Sequence, residues 1–312
     1  MSKTRSAGKE TVRYTEGLQV HSLHVGGFTP ESLKKPYVTK RRMYKEGFSK
    51  DFLHEALSET QHRLFGEWGL IGEKGSNADY ANACSVYIFG QFYGRPGLDL
   101  KTRGFMVLSA LCVLLRDNVI PTWTNACLNL GWTEEQLKEL GALVSHVGGF
   151  PTSRGSLMIF DSVFEKRRGL VDQDRAKAAS EPHARPVPPA SELYAKAKEL
   201  ATQLFGTPSG DLSDLPISSD DDLSKELVSW VFGYLFGVRS LVPVKIKVLS
   251  IIAMSAAIGQ NDMVRRWLVA ARNSGATRTE VQEVILNSAI YGGWPAAREA
   301  LGVLALHWPA QE

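Results

Sequence analysis

Gly94-Arg95-Pro96-Gly97-Leu98-Asp99-Leu100-Lys101-Thr102-Arg103 opens the most informative part of the chain, which runs from Phe89 to Phe164. A weaker copy follows it. Phe89-Gly90 returns as Phe232-Gly233 and Ala110 as Ala253, an offset of 143 residues. Gly131-Trp132-Thr133 returns as Gly275-Ala276-Thr277, Gly148-Gly149-Phe150-Pro151 as Gly292-Gly293-Trp294-Pro295, and Arg154 as Arg298, now at 144. A fixed offset held over some 75 residues reads as a tandem duplication, and an internal repeat governs every later inference about architecture. The single-residue step is expected between the third and fourth helices of the unit.

Each copy reads as helix. Leu100 to Leu115 is a long apolar run opened by Thr102 and Arg103. Ile120 to Leu130 follows, with Pro121 in a first turn that tolerates it and Gly131 in the position of a C-cap. Thr133-Glu134-Glu135-Gln136 has the pattern of a capping box. Gly148-Gly149 breaks the next helix and Pro151 starts another, to about Arg168. The second copy predicts helices near 223–237, 243–258, 261–273, 278–290 and 296–307. No segment alternates with period two. The fold class is therefore all-α: two tandem helical lobes related by internal duplication.

The domain boundaries follow. Residues 1–37 form an irregular N-terminal arm. Residues 38–168 are the first lobe with a helical extension. Residues 169–190 are a linker containing Pro182, Pro186, Pro188 and Pro189, too Pro-rich for a helix interior. Residues 191–312 are the second lobe. Helices such as 104–115 and 248–258 are apolar nearly all round and need burial, between lobes and between chains. A homo-oligomer is expected.

Composition narrows the function. A net charge of +3 without a basic block does not suggest nucleic acid. No apolar run is long enough to span a bilayer. The cysteines Cys84, Cys112 and Cys127 show no paired spacing, which suits a reducing compartment, and a cytoplasmic location is expected. Neither a metal nor a nucleotide cofactor is indicated: there is no ligand cluster and no Gly-rich strand-turn-helix.

The motif Gly94 to Arg103, the apolar helix after it, Gly131-Trp132-Thr133-Glu134-Glu135 and Gly148-Gly149-Phe150-Pro151 resemble the carboxymuconolactone decarboxylase family, which includes the alkylhydroperoxidase D-like proteins. The resemblance covers roughly 84–168 and 226–308. It implies an all-helical fold and, for a two-lobe chain, a trimer. It also implies a small carboxylate or lactone as partner, of the kind met in aromatic catabolism, and no cofactor.

The peroxidase branch of that family relies on a Cys-x-x-Cys pair. Cys84 is followed here by Ser85, Val86 and Tyr87, so a thiol peroxidase is not expected. The decarboxylase branch carries a Glu after the Phe/Trp-Gly pair and a His eight residues before the glycine of the Gly-x-Thr turn. Those positions hold Gln91 and Tyr234, and Trp123 and Trp267. Gln and Trp do not shuttle protons near neutral pH. A rearranged site is then expected. His146 is its acid or base and Arg154 its carboxylate anchor, with Gln91, Trp123, Tyr234, Trp267, Tyr291 and Arg298 around the substrate.

The first reading is thus a cofactor-free lyase, or an isomerase of a similar substrate. The second is a non-catalytic binding or assembly protein on the same scaffold, in which His146, Trp123 and Trp267 are core residues and the arginines are structural. An open polar pocket around Arg154 favours the first; aromatic side chains filling the cleft favour the second.

Overall fold

The computed structural model describes residues 11–15, 18–21, 59–65, 80, 84–169, 188–210 and 222–310. Most of the expected Pro-rich linker and of the helical extension before 59 lies outside the described residues. A short antiparallel hairpin, β1 (Thr11–Thr15) and β2 (Leu18–His21), pairs Val12 with Val20 and Arg13 with Gln19. It corrects the irregular arm expected there: Thr, Val and Tyr favour extended backbone even in a segment too short to show sustained alternation.

The other described elements are helical, and the fold is all-α. Helix α1 covers 59–65. The π-helix π1 (Val86–Phe92) leads to α2 (Leu100–Val113), α3 (Ile120–Asn129) and the long α4 (Glu134–Arg168). Then come α5 (Ala190–Phe205), α6 (Asp222–Val228) and a second π-helix, π2 (Ser229–Val238). Helices α7 (Val244–Ala257), α8 (Asn261–Asn273), α9 (Arg278–Gly292) and α10 (Trp294–His307) complete the chain. None of these is long and apolar enough to cross a membrane.

Local chemistry sets the boundaries. Asp99 accepts a hydrogen bond from the Thr102 N–H and caps α2. Thr133 with Gln136, and Thr277 with Glu280, form complete capping boxes at α4 and α9. Gly149 (φ 81°, ψ 165°) kinks α4 ahead of Pro151, and Gly293 (φ 92°, ψ 154°) separates α9 from α10 ahead of Pro295. Positive φ at those two places is what makes glycine the fitting residue.

Helices α2 and α7 begin 144 residues apart and end 144 residues apart. The two π-helices differ in length, 7 residues against 10.

Helices α2 and α7 pack against each other at the centre of the molecule. Phe105, Met106, Val107 and Leu108 of α2 and Val248, Leu249, Ile251 and Ile252 of α7 are fully buried. Both helices bury most of their circumference, as their apolar composition requires. Helix α9 covers both of them, while α3 and α4 cover α2.

Charged groups are buried at this seam in a reciprocal arrangement. Arg103 of α2 pairs with Glu283 of α9 (3.2 Å), and Lys247 of α7 pairs with Glu139 of α4 (3.2 Å). Each half gives a cation to the carboxylate of the other. Glu139 also accepts hydrogen bonds from the Leu241 and Val242 N–H groups (3.0 and 2.9 Å), and Glu283 takes Arg95 at 2.7 Å.

The closest helix crossing gives one stability prediction. A Cβ on Gly292 would lie 2.3 Å from the carbonyl oxygen of Ala257, whereas one on Gly148 would first meet the Thr152 side chain, at 3.1 Å. Backbone cannot yield as a side chain can. Gly292→Ala is expected to cost about 2–3 kcal/mol, the upper part of the overpacking range. The midpoint of urea unfolding checks it, with Gly148→Ala shifting that midpoint less.

Candidate functional site

Two aromatic clusters draw residues from both halves of the chain. The first surrounds Trp123 of α3. Phe65, Tyr93 and Tyr291 meet its ring edge-on, with centroids at 5.7, 5.8 and 5.9 Å. Phe89 closes the group against Phe65 and Tyr93. The second surrounds Trp267 of α8. Phe232 and Phe236 stack on it, and Phe205 and His146 meet it edge-on at 5.1 and 5.4 Å. Each cluster draws on both halves: Tyr291 reaches Trp123, and His146 reaches Trp267.

The clusters differ in polarity. In the first, the Tyr93 and Tyr291 hydroxyls lie 2.5 Å apart, one donating to the other. Burial raises both phenols above their ordinary range. Within that environment the Tyr291 hydrogen bond and the Arg103 charge pull Tyr93 the other way. Both hydroxyls are therefore protonated at neutral pH. The Arg103 guanidinium, fully buried, stands close enough for its charge to act on Tyr93. Its Nη2 reaches Glu283, the Arg95 carbonyl and the Leu98 carbonyl. The backbone next to it touches the tryptophan: a Cβ on Gly104 would lie 4.0 Å from Trp123 Cζ3. In the second cluster, aromatic rings fill the space around Trp267, which has no exposed surface.

The remaining expected site residues are placed as follows. Gln91 is half-buried on π1. Tyr234 is half-buried on π2, stacked on Trp230 at 4.8 Å, and its hydroxyl accepts a hydrogen bond from Arg239 Nη2 (3.2 Å). Trp230 in turn donates to Ser145, beside His146. Arg154 and Arg298 are exposed to solvent, so the structure gathers neither guanidinium into the buried clusters. The expected set thus divides: Trp123 with Tyr291 in one cluster, His146 with Trp267 in the other, and the arginine pair outside.

Sequence reasoning missed Tyr93, Arg103 and Glu283. Arg103 was visible only as a charge, beside Lys101, in the opening turn of a helix that is otherwise mostly apolar. That placement is itself a signal, because a charge on a helix buried nearly all round has to be paired inside the core.

Cys112 and Cys127 do not add a nucleophile near neutral pH. Burial pushes the Cys112 thiol up to about 12, against a weaker opposing hydrogen bond from Ser156, and raises Cys127 as well. Among the described residues no group of three or more His, Cys, Asp and Glu is placed to hold a metal ion.

Four neutral acids with raised pKa values give a prediction about pH. Tyr93, Tyr291, Cys112 and Cys127 all have folded pKa values above their unfolded ones, which are 10.0 for the phenols and 9.0 for the thiols. The unfolded chain then loses protons first as pH rises, and stability falls with pH in that window. Stability should hold up to about pH 9 and then decline by about 1.4 kcal/mol per pH unit for each group in play. Urea unfolding at pH 8, 9, 10 and 11 checks the sign and the onset, and Cys112→Ala should flatten the first part of the decline.

Residues 225–306 match the family model of the carboxymuconolactone decarboxylase family. Across 89 residues the chain is 33% identical to the 4-carboxymuconolactone decarboxylase of Acinetobacter baylyi. The aligned part is 28% of this chain and spans 66% of that enzyme's length, just under two thirds.

Proposed function

We propose that the protein is a cofactor-free, decarboxylase-like lyase acting on a small oxygenated carboxylic acid or lactone. The similarity of residues 225–306 to the carboxymuconolactone decarboxylase family supports the reaction class. The observation that carries the reading is the pair of neutral hydroxyls, buried Tyr93 and half-buried Tyr291, beside Arg103 and Trp123. It offers proton transfer where Gln91 and Trp123 stand in the positions of the family's acid-base residues.

In the proposed step the bond between the carboxylate carbon and its neighbour breaks and CO2 leaves. Its electron pair passes into the conjugated lactone or acyl system. A tyrosine hydroxyl then gives its proton to carbon, and the phenolate, facing Arg103, is reprotonated through its partner hydroxyl and solvent. A neutral phenol suits the task, since it remains protonated until the carbanion forms.

The same reading takes the two halves as tandem copies, 38–168 and 191–312, about a pseudo-two-fold axis through α2 and α7. It assigns catalysis to the Trp123 cluster and assembles the chains as trimers, in cytoplasmic aromatic catabolism. The reciprocal ion pairs Arg103–Glu283 and Lys247–Glu139 support the tandem arrangement.

A second reading, a non-catalytic binding or assembly scaffold, is favoured by the aromatic filling around Trp267 and by the exposure of Arg154 and Arg298. Mass spectrometry of purified protein with a panel of carboxylated lactones and β-keto acids separates the readings. Loss of CO2 that disappears in Tyr291→Phe supports the lyase. A mass-neutral change of retention supports an isomerase. No turnover on any compound leaves the scaffold.

A further inference from the structure

We propose that Asn129 is a positioning residue for the Tyr93–Tyr291 pair: it fastens the end of α1 so that Phe65 braces Trp123 and Phe89, the rings against which that pair rests. The inference rests on the Trp123 cluster being the working site, and it adds a residue that holds that site in shape.

The end of α1 needs a donor from outside. The last carbonyls of a helix have no intrahelical partner. In α1 one of these belongs to Leu64, which has no exposed surface, and Asn129 Nδ2 donates to it at 2.9 Å. Asn129 is itself buried, at 6% exposed. Its oxygen is also held: Arg167 Nη1 donates to Asn129 Oδ1 at 3.0 Å and to Asn125 Oδ1 at 3.1 Å. A guanidinium only donates, so the amide atom facing Arg167 is the oxygen and the atom facing Leu64 is the nitrogen. The direction of the latch is thereby fixed.

The residue after Leu64 is the one the latch places. The Phe65 ring stands edge-on to Phe89 at 5.6 Å and to Trp123 at 5.7 Å. Those two rings bear on the hydroxyl pair. Phe89 meets Tyr93 at 5.4 Å, and Trp123 meets Tyr93 at 5.8 Å and Tyr291 at 5.9 Å. Asn129 therefore acts on the tyrosines through Phe65 and one further ring. Proton transfer is sensitive to such support, because a displacement of about 1 Å set up away from the chemistry is enough to slow it.

The same device recurs in the second half. Asn273 stands 144 residues after Asn129, the spacing of α2 and α7. Its Nδ2 donates to the carbonyl of Leu204 near the end of α5 at 2.8 Å, and Phe205 meets Phe232 at 5.8 Å and Trp267 at 5.1 Å, both edge-on. Two differences set the latches apart. Asn273 is exposed, so water can take over its bond, whereas the buried Asn129 bond has no such substitute. The ring that Phe205 braces meets His146, not a pair of tyrosines.

That comparison supplies the test. Asn129→Asp keeps the size of the side chain and an acceptor for Arg167 but turns the donor facing Leu64 into an acceptor. On the lactone or β-keto acid that the native protein turns over, it should lower kcat about 10-fold or more and change KM by less than about 2-fold. Hydrogen exchange of the full-length variant should quicken at 59–65 and also at 86–93, the stretch that carries Tyr93. Asn273→Asp should quicken exchange at 199–205, leave 86–93 as in the native protein, and keep kcat within about 2-fold. Equal losses of kcat in the two variants, or a native kcat in Asn129→Asp, would overturn the proposal. Should Asn129→Asp not fold, Phe65→Leu decides instead, since it keeps the latch and removes the ring: a fall in kcat of about 10-fold upholds the brace, and a change below about 2-fold removes it. Failure of the lyase reading looks different. If the native protein releases CO2 from no compound, exchange at 86–93 decides alone: quickened in Asn129→Asp but not in Asn273→Asp upholds the latch, and unchanged in both removes it.

Discussion

Glu283→Gln is expected to destabilise the protein by about 3–5 kcal/mol, among the largest effects any single polar substitution will have here. The side chain is 3% exposed and answers two cations, Arg95 at 2.7 Å and Arg103 at 3.2 Å. Removing its charge leaves Arg103 with no carboxylate in the core. An amide of the same shape keeps some hydrogen bonds but cannot offset a buried guanidinium. Glu139→Gln should cost a similar amount, because Glu139 answers the buried Lys247 and two backbone N–H groups. Glu135→Gln makes a useful control. Its pair with Lys138 is exposed, 33% and 53%, so it should change stability by less than about 1 kcal/mol. Urea unfolding of the three variants, compared at equal slope, tests the set. A loss at Glu283 as small as that at Glu135 would mean the seam is held by apolar packing alone.

Helix was legible in the sequence because helix periodicity and capping are local. Thr133 with Gln136 and Thr277 marked the starts of α4 and α9, and Gly149 and Gly293 marked the breaks where positive φ is required. The run expected at 261–273 matches α8, and those at 100–115 and 243–258 differ from α2 and α7 by two residues or fewer at either end. The π-helical winding at 86–92 and 229–238 was not legible, since one widened turn leaves an apolar run looking as apolar as before.

The candidate site was legible in part, and the division follows from range. Trp123, Trp267, His146 and Tyr291 stood out by their positions in the repeated unit, and the structure groups them. Which of them meet was not readable. Tyr291 finds Tyr93 across 198 residues and Arg103 finds Glu283 across 180, and no periodicity reports such pairs. Arg154 and Arg298 recur at a fixed spacing and both lie on exposed helix faces, and spacing alone carries no information about burial.

Tyr291→Phe is expected to lower kcat for CO2 release by about 10²–10³-fold, within the range for loss of a positioned proton donor. Tyr93→Phe should do nearly the same, because the two hydroxyls act as a unit 2.5 Å apart. The double variant should then be little worse than either single one, since groups that work together are not additive. Stability moves separately. Each single change strands one buried hydroxyl without its partner, at about 1–3 kcal/mol, and the double change removes both groups and should recover part of that loss. This opposite ordering, with activity lost once and stability partly restored, is not expected if the pair only packs. The pH profile sharpens the test. With both phenols raised by burial, kcat should not change through ionisation of the pair between about pH 6 and 9. A flat profile that collapses in Tyr291→Phe assigns the proton to the tyrosines. Activity that vanishes in His146→Gln, with Tyr291→Phe still active, would move the chemistry to the Trp267 cluster and overturn the assignment.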